Sequence, residues 1–162
     1  MVNSDNSSII DSADSDRFQR GPVYRARRIL VVGCSVIGAT VAVRLSDSGN
    51  IIKVLDRDPN AFRLLPQRRI ETTRIVPVVG DGRSESDLRR ASAHESDILI
   101  ATTDSATVNL MAAQIGLHLI RVPRVICLID EEDVGEIFAE LGIQILARDS
   151  LTVDFLLGEA MK

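Results

Sequence analysis

Residues 29–56 read ILVVGCSVIGATVAVRLSDSGNIIKVLD, and this stretch decides the fold. An apolar run leads to a turn with Gly33 and Gly38, then to a helix-period segment ending at Gly49, and then to a second apolar run that ends in Asp56. Such glycines let the backbone approach a pyrophosphate at a helix N-terminus, and an acid after the second strand accepts hydrogen bonds from a ribose. The stretch predicts the first βαβ unit of a dinucleotide-binding fold, and a βαβ unit without a ligand remains the alternative.

The composition is that of one α/β domain. The chain has 162 residues, of which 45% are hydrophobic and only 3% aromatic, as expected for a parallel sheet covered on both faces. No apolar run approaches the roughly 20 residues of a membrane-spanning helix. Cys34 and Cys127 lie in predicted core segments and look like reduced thiols. With a net charge of −4, we expect a soluble cytoplasmic protein that does not bind nucleic acid.

Residues 1–27 differ in composition from the rest of the chain. Serines and aspartates dominate up to Asp16, and arginines follow from Arg17 onward. This segment cannot bury enough apolar surface to offset the entropy of ordering, so we expect a disordered tail before a domain that spans 28–162. A docking or phosphorylation segment is the alternative to a solvated extension.

Short apolar runs alternate with helical patterns from residue 29 onward. The predicted strands are 29–32, 51–55, 75–79, 97–101, 125–129 and 143–146. The predicted helices are 36–48, 58–65, 84–92, 105–119, 131–141 and 150–160. This alternation predicts a Rossmann-like α/β fold, a doubly wound parallel sheet of six strands.

Pro77 indicates the order of the strands. It lies inside the third apolar run, and a proline removes a hydrogen-bond donor that a central strand needs. The third strand is therefore expected at an edge of the sheet. The order 3-2-1-4-5-6 places it there.

Several residues are expected to begin or end helices. Ser84 with Asp87 resembles a capping box, and Asp104 or Ser105 can cap the helix at 105–119. The glycines expected to end helices are Gly49 and Gly142. The expected apolar face of helix 105–119 consists of Val108, Ala112, Ile115 and Leu119.

Open α/β sheets bind ligands beyond the carboxyl ends of their strands, where the strand order reverses. The candidate cofactor-binding residues at those ends are Gly33, Cys34, Ser35, Val36, Ile37, Gly38, Asp56, Arg57, Gly80, Asp81, Gly82, Thr102 and Thr103. Asp58, Asp104 and Asp130 also follow strands. Asp56 favours NAD over NADP by its charge, although Arg57 can pair a 2′-phosphate. For Asp81, a plain turn and an adenosine contact are equally good interpretations.

The segments after the third and fourth strands are more specific than the glycines. They are VVGDG at 78–82 with Asp87-Leu88 downstream, SDILIATTD at 96–104 leading to Asn109-Leu110, and Ile137-Phe138 followed by Leu141-Gly142-Ile143. Together they resemble the TrkA-type, or regulator of potassium conductance (RCK), N-terminal domain. The resemblance runs from about Ile29 to Leu157.

The resemblance implies a role for each candidate position. Residues 33–37 would hold the pyrophosphate, and Asp56 would hold the adenosine ribose. Asp81 would lie near the adenine. Thr102 and Thr103 would lie near the distal half of the ligand. The implied cofactor is NAD, with NADH, ADP or ATP as further possibilities.

Three residues depart from the family pattern. Ser35 stands where most members have the second glycine, Val36 where many have Arg, and Cys127 where several have another Arg. Each change lowers the expected affinity for phosphate, since charge-assisted hydrogen bonds are the stronger class. A hydrogen bond donated by the Ser35 hydroxyl would partly compensate.

The family also implies a function and partners. We expect a nucleotide-binding regulatory protein of a potassium channel or Trk/Ktr-type transporter, held at the inner face of the membrane by that partner. It would form a homo-dimer or a higher homo-oligomer. The small residues that could pack such copies together are Ala106, Ala112, Ala113 and Gly116.

Two other functions remain open, an NAD(P)-dependent oxidoreductase and a structural domain without a ligand. A Tyr-x-x-x-Lys pair is impossible, because the only tyrosine is Tyr24 and no lysine lies four residues after it. His94 and His118 do not fall at the carboxyl end of a strand. We therefore expect no enzyme activity.

Overall fold

The computed structural model describes residues 25–130 and 140–161, which form six strands and five α-helices. The strands are β1 Arg28–Val32, β2 Ile51–Asp56, β3 Ile75–Val79, β4 Ile98–Ala101, β5 Arg124–Ile129 and β6 Gln144–Ala147. The helices are α1 Val36–Asp47, α2 Gln67–Glu71, α3 Glu85–Arg90, α4 Ala106–Gln114 and α5 Arg148–Ala160. Most of the predicted tail 1–27 and of the predicted helix 131–141 lies outside the described residues.

All six strands are parallel and lie in the order β3-β2-β1-β4-β5-β6. The predicted fold and strand order are therefore confirmed. Pro77 pairs in register with Val54 and lies on β3, an edge strand. Its missing N–H is tolerated at this edge, as the sequence predicted.

Alternate side chains of β1 belong to two hydrophobic cores, one on each face of the sheet. Leu30 and Val32 pack with α3 and α4 on one face. Ile29 and Val31 pack with α1 and the segment before α2 on the other face. Because successive side chains of a strand point to opposite faces, a continuous apolar run is what a sheet covered on both sides requires.

The predicted helix 58–65 is a 3₁₀ turn, Pro59–Leu64, and a separate helix α2 follows it. The Asp58 side chain accepts the Asn60 N–H and begins the turn. Pro66 precedes α2 and has no N–H with which to continue a helical ladder. The sequence prediction missed this break.

Helix α4 continues as a π-helical turn over Ile115–Ile120, where one uninterrupted α-helix was predicted. A π-turn adds about one residue per turn, so the apolar face shifts along the sequence. Leu119, predicted on the buried face, is 57% exposed, whereas Ile120 is only 8% exposed. Ala112 and Ile115 are buried as predicted.

The small residues of this helix pack against the protein's own sheet. Ala112 and Ala113 are fully buried in the core. A Cβ on Gly116 would lie 2.8 Å from Leu99 Cδ1, so β4 occupies that side of the helix. The prediction that Ala112, Ala113 and Gly116 pack copies of the protein together is therefore wrong. Ala106 is partly buried against the same core.

The predicted caps are largely present. Ser105, rather than Asp104, accepts the N–H of Val108 at the start of α4. Ser84 accepts the N–H of Asp87, but the Asp87 carboxylate does not close a capping box, because it binds the loop after β3. Gly49 follows α1 with φ +85°, as a C-terminal glycine should. Gly142 has φ +84°, but the helix it was predicted to end lies outside the described residues.

Candidate nucleotide-binding site

The carboxyl ends of β1 to β4 surround a cavity of about 570 Å³. This volume lies within the usual range of small-molecule sites. The cavity lies where β1 has β2 on one side and β4 on the other, which is the point where the strand order reverses. The predicted site residues that line it are Cys34, Ser35, Asp56, Arg57, Gly80, Asp81, Gly82 and Thr103.

Gly33 and Gly38 shape the turn after β1 rather than line the cavity. Gly33 has φ +104°, and a Cβ there would lie 2.6 Å from the backbone nitrogen of Thr103. A Cβ on Gly38 would lie 2.1 Å from the Gly33 carbonyl oxygen and 2.8 Å from Oγ1 of Thr102. Thr102 is itself only 4% exposed. These three residues therefore hold the turn tightly against the end of β4.

Ser35 uses its hydroxyl inside the protein. Its Oγ accepts the N–H of Gly38 at 3.3 Å and donates to the carbonyl oxygen of Thr102 at 3.0 Å. Its φ of −69° is one that any residue adopts, so serine strains no backbone here. The hydroxyl hydrogen that was expected to compensate at a phosphate therefore already has an internal acceptor.

Val36 and Ile37 begin α1 with exposed side chains. Val36 is 71% exposed and faces a neighbouring depression beside Val43 and Leu64. In the first turn of a helix the leading N–H groups have no carbonyl partner within the helix. Any contribution of these two residues to anion binding must come from their backbone, since neither side chain carries a charge.

Asp56 joins the turn after β1 to the end of β2. Its carboxylate accepts the N–H of Cys34 at 2.6 Å and the N–H of Asp58 at 2.8 Å. Each carboxylate oxygen has two lone pairs, so both can accept a further hydrogen bond. The carboxylate lines the cavity, and the arrangement leaves capacity for ligand hydroxyls.

Asp81 and Arg83 form an ion pair at the loop after β3. Arg83 Nη2 lies 2.7 Å from Asp81 Oδ2, and the Arg83 backbone N–H also binds Asp81. Hydrogen bonds from Arg83 lower the pKa of Asp81 to about 2, and the charge of Arg57 adds to the effect. Asp87 fixes the loop by accepting the Asp81 N–H at 2.8 Å. The turn is thus present, and the Asp81 carboxylate also faces the cavity.

Sequence reasoning missed Arg83 and the role of Asn109. Asn109 is 1% exposed, and its amide donates to the carbonyl oxygens of Thr103 and Leu128, both at 2.9 Å. Its Oδ1 accepts the N–H and the hydroxyl of Thr103 at 2.8 and 2.6 Å. Asn109 thereby fixes the loop after β4 to the end of β5. A polar residue on an otherwise apolar helix face was the available signal.

Neither cysteine is expected to react with a chromogenic disulfide reagent in the folded protein at pH 8. Burial, with the Asp56 charge, raises the pKa of Cys34 to about 11, and burial raises that of Cys127 to about 12. Unfolded thiols titrate near about 8.5, so both should react once urea unfolds the chain.

The thiol protons of Cys34 and Cys127 also make the free energy of unfolding depend on pH. The folded state holds these protons more tightly than the unfolded state does, so their contribution to the free energy of unfolding is fully present below about pH 8.5. It is lost as the pH rises through about 11 and 12. Urea unfolding between pH 8 and 11 checks the sign, and rapid thiol reaction of the folded protein at pH 8 would contradict the assignment.

The all-parallel sheet with its cavity at the strand ends defines a Rossmann-like domain. Among the described residues, no helix has both the length and the apolar character needed to cross a membrane. The chain belongs to the TrkA-N domain family, whose model matches residues 29–148.

Curated relatives include two bacterial potassium uptake proteins. The Trk system potassium uptake protein TrkA of Streptomyces coelicolor is 29% identical over 133 residues, covering 80% of this chain and 56% of that protein. The protein of the same name from Halomonas elongata is 34% identical over 96 residues, covering 59% of this chain and 20% of that protein. The chain thus spans about half of the first relative and a fifth of the second.

Solved structures share the fold at low sequence identity. The TrkA-N domain of the Escherichia coli inner membrane protein ybaL has a TM-score of 0.68 at 16% identity, covering 84% of this chain and 98% of that one. AMP-bound Kef CTD of Shewanella denitrificans has 0.66 at 18%, covering 83% and 79%. The GsuK channel bound to NAD has 0.60 at 17%, covering 82% and 24%.

Proposed function

We propose that this domain binds NAD(H) or a related adenine nucleotide and thereby regulates a potassium channel or Trk-type transporter. It acts on the cytoplasmic side, held at the membrane by that partner, as a homo-dimer or higher homo-oligomer, and catalyses no reaction. The observation that carries the proposal is the cavity at the carboxyl ends of β1 to β4, lined by the Asp56 carboxylate.

In this proposal each part of the cavity receives one part of the ligand. The turn at 33–38 and the first N–H groups of α1 receive the pyrophosphate. Asp56 accepts the adenosine ribose hydroxyls, with the loop at 80–82 beside the adenine. Thr103 lies toward the distal half of the ligand, and Thr102 supports the turn from behind. The protein names of the curated relatives support the link to potassium uptake.

The position of the cavity also supports regulation. A ligand there touches the end of β2 and the loop after β3 on one side of β1, and the loop after β4 on the other. Binding biases an assembly only if two states of that assembly bind the nucleotide unequally. Within the described residues the cavity lining contains no histidine, lysine or tyrosine, which favours a regulatory site over an oxidoreductase.

Replacing Asp56 by alanine is expected to weaken NAD binding roughly 5- to 150-fold, equivalent to about 1–3 kcal/mol for hydrogen bonds to a charged group. Calorimetric titration of the purified chain measures the change. Asp97→Ala is the control, because Asp97 is a carboxylate that likewise accepts a backbone N–H, from Arg28 at 2.8 Å, but lies at the opposite end of the sheet. Equal NAD affinity of the Asp56 variant and the native chain would show that this carboxylate does not hold the ribose.

The regulatory role requires a second measurement. Potassium flux and oligomer mass are compared with and without NAD and NADH, in membranes that contain the co-purifying transport partner. A change with nucleotide supports the proposal. An assembly indifferent to nucleotide would indicate a structural domain, and NADH turnover with a small substrate would indicate an oxidoreductase.

A further inference from the structure

Carboxylates outnumber cationic side chains around the cavity. The aspartates in its lining are Asp56, Asp58, Asp81 and Asp104, and the arginines are Arg57 and Arg83. Four aspartates and two arginines leave a formal charge of −2. Phosphate sites in proteins commonly have the opposite sign, because cationic side chains form the strong charge-assisted bonds to phosphate.

The two arginines, already included in this formal charge, are poorly placed to pair a phosphate of the ligand. Arg83 binds both carboxylate oxygens of Asp81, so its charge is largely compensated within the protein. The positive charge of Arg57 helps to lower the pKa of Asp81, and Arg57 is next to Asp56 in the sequence. The first turn of α1 begins Val36-Ile37 and contributes no cationic side chain. Backbone N–H groups are the donors left for phosphate at this turn.

Asp58 adds negative charge near the proposed position of the adenosine. Asp104 adds negative charge near the proposed position of the distal half of the ligand. Asp58 caps the 3₁₀ turn by accepting the Asn60 N–H at 2.9 Å. Asp104 is exposed and follows Thr103 after β4, whereas Asp58 follows β2 on the other side of β1. Neither forms an ion pair with any described residue of the chain.

We propose that this cavity selects among adenine nucleotides by their net charge, taking NAD⁺ and rejecting ATP. The inference rests on the proposed function, because it specifies the ligand of that same site. At neutral pH NAD⁺ carries about one net negative charge, NADH about two, ADP about three and ATP about four. The oxidised dinucleotide is therefore the ligand least opposed by the carboxylates.

The size of the effect follows from Coulomb repulsion. Two unit charges about 8 Å apart in a water-filled, open site repel enough to lower affinity roughly 2-fold. Against a formal charge of −2, each added ligand charge costs about 5-fold at low ionic strength. ATP carries about three more negative charges than NAD⁺, so we expect it to bind roughly 100-fold more weakly at low ionic strength.

The experiment is calorimetric titration of the purified chain in EDTA, so that Mg²⁺ does not mask phosphate charge. AMP, ADP and ATP share one adenosine, and their affinities should fall in that order. NAD⁺ should bind more tightly than NADH and than NADP⁺. Raising the salt concentration from about 0.01 M to about 0.1 M shortens the screening length from about 30 to about 10 Å. The differences in affinity between these nucleotides should therefore become smaller.

Charge-neutral variants test which carboxylates act. Asp58→Asn keeps an equally good cap, and Asp104→Asn changes only charge at an exposed side chain. Each should raise the affinity for ATP several-fold more than the affinity for AMP. Asp154→Asn on α5 is the control, because it makes the same charge change on an exposed residue away from the cavity. This control should leave the ratio of the ATP affinity to the AMP affinity unchanged.

The outcomes separate this inference from the proposed function. ATP binding as tightly as NAD⁺ at low salt overturns charge selection while nucleotide binding stands. NADP⁺ binding more tightly than NAD⁺ also overturns it and would indicate that Arg57 pairs a 2′-phosphate. Absence of binding by all of these nucleotides overturns both proposals.

Discussion

Replacing Gly38 by alanine is expected to lower the free energy of unfolding by about 3 kcal/mol, the upper part of the usual range for overpacking. Alanine is normally about 1 kcal/mol better than glycine within a helix. Here the new Cβ would lie 2.1 Å from the Gly33 carbonyl oxygen. Because that atom belongs to the backbone of the turn, relief requires the turn to move away from β4.

Urea unfolding of the purified variant measures this change through the transition midpoint. Gly158→Ala is the matched control, because Gly158 lies within α5 and a Cβ there would have no atom within 4 Å. This control should be stabilised by up to about 1 kcal/mol. If both variants gained stability, the close approach between Gly38 and the Gly33 carbonyl would be refuted.

Replacing Asn109 by alanine is expected to cost about 3 kcal/mol or more and to weaken nucleotide binding. The substitution leaves the N–H and carbonyl of Thr103 and the carbonyl of Leu128 without their partner. Each buried polar group left unpaired costs about 1–3 kcal/mol. Thr103 also lines the cavity, so freeing its loop should lower ligand affinity as well as stability.

Two further variants sharpen the measurement on Asn109. Asn109→Asp keeps an acceptor for the Thr103 N–H but loses both amide donors, so it should also be destabilised. Thr107→Ala, at an exposed position of the same helix, should stay within about 0.5 kcal/mol of the native chain. A neutral Asn109→Ala variant would mean that water replaces the amide at no cost.

The sheet was predictable because its signals are local. Each strand is a short apolar run, and Pro77 alone was enough to place β3 at an edge. The shift of the buried face from Leu119 to Ile120 accompanies the π-helical turn over Ile115–Ile120, in which Gly116 lies close to Leu99 of β4. That contact joins a helix to a strand, and no pattern along the helix contains it.

The candidate site likewise has features that the sequence could predict and features that it could not. Strand ends located Asp56 and the loop at 80–82, because their position follows from the topology alone. The internal use of the Ser35 hydroxyl and the pairing of Arg83 with Asp81 depend on the direction of side chains. Spacing along the sequence carries no such information.

The central position of β1 has a consequence for synthesis of the chain. Its pairing with β2 joins residues close in sequence, but its pairing with β4 joins Ile29 to Ile98, a separation of 69 residues. At about 5–20 residues per second the ribosome needs roughly 3–14 s to make that interval. During this time an apolar strand has an open edge, which is the feature that attracts other chains. We therefore expect newly made β1 to bind a chaperone until β4 has been synthesised.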